Sequence, residues 1–359
     1  MIEDKLQFGF STTQKIIQKI GKIDQFKGEW KQLDKQDNRY LKELRKIATI
    51  QSIGSSTRIE GSTLLDAEIA TLIKNLKISK LQTRDEQEVV GYYDTLEMLF
   101  DNYRDIDLTL SNIHSLHNIL LKHSSKDVRH RGRFKELSNK VVASYLDGPT
   151  RVIFKTTEPY LTEKEMDELV NWTNKAFSDG DIHPLIIIAT FIYEFLSIHP
   201  YQDGNGRLSR LLTTLLLLKF DYKFVAYVSF EHIVEKNKKN YYQALMEGQK
   251  NRHKGTEQID KWLLFFLNSL SELIVKLEQK VKEYRVIGAY LNDRQKEIVQ
   301  YIQQNQPVKK GEIAKDLAQY SAAIIQKDLQ YLVTEFEITR MGNNKGTVYI
   351  INKKDTPSV

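Results

Sequence analysis

Between residues 199 and 210 the chain reads His199, Pro200, Tyr201, Gln202, Asp203, Gly204, Asn205, Gly206, Arg207, Leu208, Ser209, Arg210. These residue types at this spacing can hold a polyphosphate. Gly204 and Gly206, alternating with Asp203 and Asn205, let the backbone turn tightly and approach a ligand closely. The apolar run that follows predicts a helix over about Gly206 to Phe220, and the free N–H groups at its start attract anions. Arg207 and Arg210, three apart on its first turn, share a face, and two guanidinium forks suit several phosphates better than one. Asp203 is a hard oxygen donor placed to hold Mg²⁺ against those phosphates. His199 is the residue of the run that exchanges a proton near neutral pH. An EF-hand does not fit, because Arg207 and Leu208 stand where a third oxygen ligand and a glycine are needed and Thr214 replaces the closing carboxylate. A Walker A loop does not fit either, since no Gly-Lys-Ser/Thr follows.

A second cluster lies far upstream. Ser56, Thr57, Arg58, Ile59, Glu60 and Gly61 close a helix predicted from near Leu41, with Gly61 as its stop. Glu60 then sits at the negative end of the helix dipole, where a carboxylate is disfavoured by roughly 0.3–1 kcal/mol and calls for a cation. Ser56, four residues earlier, shares its face.

The elements that must position these groups are mostly helical. Leu41, Leu44, Ile47 and Ile50 recur at three-residue steps, and Ile113, Leu116, Ile119 and Leu120 line one face of a helical region that begins near Leu108 and resumes from Leu161 to Phe177. The interruption, Lys140 to Leu146 and Arg151 to Phe154 around Asp147, Gly148, Pro149 and Thr150, predicts a β-hairpin. Pro184 opens a helix running to about Ser197 and Pro200 marks its end, so His199 is expected at a helix terminus. A further helix carries Tyr241, Tyr242, Leu245 and Met246, and Trp262 to Tyr284 predicts a long amphipathic helix. Arg294 to Gln303, Lys310 to Leu317 and Ser321 to Phe336 predict three short helices. Ile338 to Met341 and Thr347 to Ile351 flank a turn, and the set has the order of a winged helix-turn-helix.

Composition narrows the function classes. Of 359 residues, 41% are apolar and 28% charged, with 6 prolines, as in an ordinary globular chain. The absence of cysteine excludes disulfides, zinc fingers and thiol nucleophiles and suits a reducing cytoplasm, the expected location. The net charge of +6 is small for this length. The N-terminus predicts no signal peptide, and the segments Leu185 to Ile198 and Leu211 to Leu218 are expected as buried helices rather than membrane spans.

The run from His199 to Arg210 is similar to the signature of the Fic family, His-Pro-Phe-x-Asp-Gly-Asn-Gly-Arg-x-x-Arg, with Tyr201 in place of phenylalanine. The helical context around it agrees over roughly Leu108 to Gln249. The resemblance implies a protein adenylyltransferase that moves AMP from ATP to a protein hydroxyl. By position, His199 would deprotonate that hydroxyl, and Asp203 would hold Mg²⁺. Asn205 and the backbone of Gly204 and Gly206 would contact the α- and β-phosphates, while Arg207 and Arg210 would grip the β- and γ-phosphates. The hairpin, between about Ser138 and Phe154, resembles the family's flap, with Val141 and Val142 near the nucleotide; its edge could pair with an extended target segment. Tyr241 and Tyr242 resemble paired tyrosines that contact adenine or ribose. Ser56, Glu60 and Gly61 match the family's inhibitory motif, Ser/Thr-x-x-x-Glu-Gly/Asn, which implies a bidentate pair between Glu60 and Arg210 in the room needed by the γ-phosphate.

The expected fold is thus mainly α: a helical Fic core with a β-hairpin flap and a C-terminal winged helix-turn-helix domain. The expected division is a helical region with the inhibitory helix (1–105), the catalytic domain (106–255), a linker helix (256–290) and the winged helix (291–359). The implied partners are a target protein bearing a Ser, Thr or Tyr hydroxyl, the chain itself, or a second copy in a homodimer, and no membrane. Two other functions fit the same residues: a nucleotide-sensing transcriptional regulator, and an enzyme that removes AMP with Glu60 aligning a water. DNA is a weak partner for the C-terminal module, which has 10 Lys and Arg against 8 Asp and Glu from 291 to 359. Ile324, Ile325, Leu329 and Tyr331 on its third helix offer a protein-docking or dimer face instead.

Overall fold

The chain is described by a computed structural model that covers residues 2–33, 39–76, 80–145, 148–252, 254–287, 291, 293–334, 338–342 and 346–351. It divides into two compact units, residues 1–277 and 278–359.

At the centre of the first unit are two helices with almost no solvent face. One is α7, Pro184–Ile198, buried from Leu185 onward except at Ile186, and the other is α8, Asn205–Lys219, buried from Arg207 to Leu218. A helix that is apolar on most sides finds its minimum inside a protein, each buried Leu, Ile or Phe side chain stabilising it by roughly 1.5–3 kcal/mol. Among the described residues no helix is long and apolar enough to cross a membrane. Pro184 occupies the first turn of α7, and His183 caps it by accepting from the Leu185 N–H at 3.2 Å.

Around this pair stand α1 (Phe10–Leu33), α2 (Arg39–Ile59), α3 (Asp66–Lys74), α4 (Arg84–Asn102), α5 (Leu110–Leu120) and α6 (Pro159–Asp179). They are followed in the chain by α9 (Phe230–Lys236) and α10 (Lys238–Gln249). The helix expected as a linker, α11 (Asp260–Ile287), buries Trp262, Leu263, Phe266, Leu267, Leu270, Leu273 and Leu277, so its first part belongs to the core of this unit. Helix α2 packs against α9, α4 and α8, which brings its C-terminal end to the start of α8.

The hairpin consists of β1 (Lys140–Tyr145) and β2 (Gly148–Lys155), antiparallel, with Lys140 opposite Lys155 and Val141 opposite Phe154. Gly148, Pro149 and Thr150 belong to the second strand rather than to the expected turn. Of that turn, Asp147 lies outside the described residues, as does Leu146. The pairing register shifts between Val141 and Val142 and again between Ala143 and Tyr145.

The second unit holds α12 (Asp293–Asn305), β3 (Val308–Lys309), α13 (Lys310–Asp316), α14 (Ala322–Thr334), β4 (Ile338–Met341) and β5 (Val348–Ile351). Its sheet has the order β3-β5-β4 and is antiparallel; the two-residue β3 carried no signal in the sequence. The docking face expected on α14 is corrected here. Ile325 and Leu329 are wholly buried with Ile298, Ile302, Ile313 and Leu332, and Tyr331 packs against that core, which leaves Ile324 as the exposed member of the four.

Candidate active site

The turn between α7 and α8 is fixed by its own residues. His199 ends α7 in the left-handed region, φ 54°, with its N–H donating to the Phe195 carbonyl at 2.9 Å. Gly204, φ 81°, precedes α8, a conformation that glycine adopts without strain. Asn205 locks the turn, accepting from the Tyr201 N–H at 2.8 Å and donating to the Tyr201 carbonyl at 2.7 Å. Its amide is therefore engaged within the turn. Tyr201, the one departure from the Fic signature, is fully buried, stacks on His117 at 3.7 Å and bonds through its hydroxyl to His114 Nδ1 at 2.9 Å. His117 accepts from the Gly132 N–H at Nδ1, so its Nε2 is the nitrogen that donates to the Asp203 carbonyl, at 3.0 Å. Burial lowers that imidazole to about 4, so it is neutral at pH 7.

Above the turn lies a cavity of about 130 Å³. Its lining brings together ten of the residues expected from the sequence: Glu60, Val141, His199, Asp203, Gly204, Asn205, Gly206, Arg210, Tyr241 and Tyr242. Lys140, Leu196, Gln202 and Leu245 also line it, and the sequence reading missed them; only Gln202, inside the signature, was marked by position. Val142 lies in β1, and its side chain falls outside the described residues. Tyr241 and Tyr242 are both buried and edge-on to each other, and Tyr241 also meets Trp262 and Phe265, so the pair packs the core as well as lining the cavity. The space is smaller than the roughly 300–1,000 Å³ of a small-molecule pocket.

Glu60 helps account for that small size. Its Oε1 accepts from Arg210 Nη2 at 2.8 Å and lies 2.1 Å from where a Cβ on Gly206 would stand. A carboxylate thus sits against the first turn of α8, where the helix presents N–H groups and positive potential to an anion. The expected bidentate pair is corrected to a single hydrogen bond. The guanidinium divides its donors, with Nε bonded to Ser56 Oγ at 2.8 Å and Nη2 also reaching the Ser56 carbonyl at 2.9 Å. Burial alone would raise the Glu60 carboxyl; Arg210, with Arg207 and His199 beyond it, outweighs this and holds it below the usual value. Gly61, φ 109°, ends the helix outside the cavity lining.

Arg207 does not share the cavity with Arg210. It is wholly buried, 3.2 Å from Glu88 Oε2 and 3.1 Å from Asp203 Oδ1, because α4 supplies a carboxylate on that side of α8. Burial would raise the Asp203 carboxyl, but Arg207, the Gly204 N–H, Arg84 and Lys126 together hold it below its usual value. Among the described residues no three His, Asp or Glu side chains gather around a cation position. Mg²⁺ commonly takes only one or two protein carboxylates, with phosphates and water completing its shell, and Asp203 fits that role. The partners of its Oδ2, Arg84 at 3.2 Å and Lys126 at 3.9 Å, are more than half exposed (55% and 63%), so they can turn away into solvent.

His199 opens onto the same cavity. Burial first, and then the charge of Lys135, lower its imidazole to about 4, so it is neutral and able to accept a proton at pH 7. Its Nδ1 faces the Leu196 carbonyl at 3.4 Å, which assigns the ring proton there and leaves Nε2 with the lone pair.

Residues 107–217 match the model of the Fic/DOC family. The chain is 29% identical over 211 residues to the protein adenylyltransferase Fic of Drosophila yakuba, covering 58% of this chain and 38% of that protein. It therefore spans little more than a third of that curated relative. Among solved structures it resembles a Fic family protein from Desulfovibrio desulfuricans, with a TM-score of 0.62, 19% identity and 98% of each chain covered, a likeness of fold. It also resembles a Fic domain containing signaling protein from Bacteroides thetaiotaomicron, with a TM-score of 0.60 and 26% identity over 72% of this chain and 95% of that one.

Proposed function

The chain carries a Fic domain, and from that premise we propose that it is a protein adenylyltransferase, moving AMP from ATP to a Ser, Thr or Tyr hydroxyl of a target protein or of itself, with Glu60 as its brake. One observation carries the reading: a neutral imidazole and the anion-attracting start of α8 face a single cavity, and the anion position is held by the chain's own carboxylate. The name of the Drosophila relative supports the same activity.

In the transfer, the target's hydroxyl oxygen forms a bond to the α-phosphorus while the bond from that phosphorus to the bridging oxygen breaks, releasing pyrophosphate. The hydroxyl proton passes to His199 Nε2. The backbone N–H groups at the start of α8 and the Arg210 guanidinium supply fixed positive potential where charge gathers on the leaving group. Asp203 would hold Mg²⁺, which when bound neutralises phosphate charge. Glu60 occupies the place of a terminal phosphate and competes for Arg210, so basal transfer is expected to be low.

The test uses ATP labelled in its α-phosphate. Glu60→Gly should incorporate label many-fold faster than the wild type, into itself or into a lysate protein, and adding His199→Ala should abolish incorporation while nucleotide binding persists. Equal rates for wild type and Glu60→Gly would remove the brake from this reading. Undiminished labelling by the His199→Ala variant would remove the base.

A further inference from the structure

Behind His199 lies a charged group that the transfer does not touch. Lys135, in the loop between α5 and β1, is only 3% exposed. Its backbone N–H donates to the Pro200 carbonyl at 2.8 Å and its ammonium to the Ile198 carbonyl at 2.9 Å, the carbonyls of the two residues that flank the histidine. The other ammonium donors go to Asn139 Oδ1 and Thr156 Oγ1, each at 3.0 Å. Asn139 directly precedes β1 and Thr156 directly follows β2. Asn139 also donates from Nδ2 to the Tyr201 carbonyl at 2.8 Å. None of the three ammonium acceptors is a carboxylate, and a charge buried on neutral oxygens is costly unless fully hydrogen-bonded, as this one is.

We infer that Lys135 is a positioning residue for the proposed transfer: it pins the carbonyls of Ile198 and Pro200, the residues flanking His199, and ties them to the root of the β1–β2 hairpin, so that base and hairpin are held as one piece. The inference rests on the adenylyltransferase reading for its kinetic consequence but not for its geometry. The electrostatics agree with it. His199 faces the charges of Lys135, Glu60 and Asp203, of which Lys135 opposes protonation and the two carboxylates favour it. Burial lowers Lys135 itself to about 8, against the pull of Glu158 and Glu165, so it is still mostly charged at pH 7.

The first test needs no activity. In the full chain, the ring-proton NMR titration of His199 should move to higher pH in Lys135→Met, because a positive neighbour has gone, and should stay near the wild-type midpoint in Lys135→Arg. An unmoved midpoint in folded Lys135→Met overturns the inference. In the Glu60→Gly background, Lys135→Met should lower kcat roughly tenfold to a hundredfold, the scale of a misplaced reacting group, while KM for ATP stays within about twofold. Its acid limb should shift upward with the titration. A proportionate rise in KM, or an unshifted limb, overturns the inference. Should Lys135→Met fail to fold, Asn139→Ala with Thr156→Val keeps the ammonium and removes both bonds to the hairpin root, and its kcat should fall; a kcat equal to the parent's overturns the tie. If Glu60→Gly itself transfers no AMP, the functional reading fails, while the titration still decides the role of Lys135.

Discussion

Arg210 carries a permanent charge with only 4% of its side chain exposed, so its donors need partners whether or not a phosphate is present. Glu60 supplies one and Ser56 two, and the difference between them is exposure: Glu60 is 33% exposed and can swing out, whereas Ser56 is fully buried. Ser56 therefore holds the guanidinium in place when Glu60 leaves. Ser56→Ala removes the acceptor of Arg210 Nε, and a buried donor left unmatched costs about 1–3 kcal/mol. The expected result is a lower midpoint in urea together with basal AMP transfer raised less than in Glu60→Gly, because Glu60 and the Ser56 carbonyl still engage Arg210. A Ser56→Ala chain as stable as the wild type would contradict this. At this scale the run from His199 to Arg210 was legible because its geometry is local: glycine torsions, a helix start and side chains a few residues apart. The placement of Arg207 was not legible, for the complementary reason. Its i, i+3 relation to Arg210 fixes a direction on α8, but the carboxylate facing it, Glu88, comes from α4 and left no trace near the signature.

The proposed brake works through an element, because Glu60 is placed by the end of α2 and that end is clamped from α9 and α10. Arg58 bonds to both Glu235 oxygens, Nε at 2.7 Å and Nη2 at 3.2 Å, and through Nη1 to Asp66 at 2.8 Å. Lys238 donates to the Ile59 carbonyl at 2.9 Å, a cation on a helix C-terminus next to the brake itself. Burial would raise the Glu235 carboxyl, yet His232 and Arg58 bring it down to about 2, so the clamp keeps its charge at any physiological pH. Arg58→Ala cuts the fork without altering Glu60 or any group facing the cavity. Basal transfer should rise several-fold, short of Glu60→Gly, and amide hydrogen exchange at the end of α2 should quicken. Faster exchange with no gain in transfer would mean that Glu60 stays seated without the clamp. The sequence announced where α2 stops, through Gly61, but not what it leans on. Arg58 stood in the closing run with no role of its own, since Glu235 lies far along the chain and joins it only through the packing of α2 on α9.

On the scale of the whole chain, the division into residues 1–277 and 278–359 sets how it should respond to acid. All 8 histidines precede residue 278, and two of them, His117 and His199, are lowered by burial to about 4. An unfolded histidine titrates near 6.5, so between pH 6.5 and 4 the unfolded chain binds more protons than the folded one, and stability falls as pH falls through that window. Each such group contributes a slope of up to roughly 1.4 kcal/mol per pH unit. Carboxylates held low, such as Glu60, Asp203 and Glu235, add to the loss only as pH drops toward and below their unfolded values near 4, so the upper part of the window belongs to the histidines. The second unit has no histidine, and its core is aliphatic. The 3 tryptophans, Trp30, Trp172 and Trp262, all lie in the first unit, so their fluorescence reports that unit alone. Urea unfolding followed by tryptophan emission should move to lower midpoints from pH 6.5 to 4.5, while a second transition visible in circular dichroism holds its position. His117→Asn should flatten the first trend in part, since His199 and His114, also lowered by burial, supply the rest. A tryptophan midpoint that stays constant across the window would mean that the two buried imidazoles are not held neutral by the fold, and the basis for His199 as a ready proton acceptor at pH 7 would go with it.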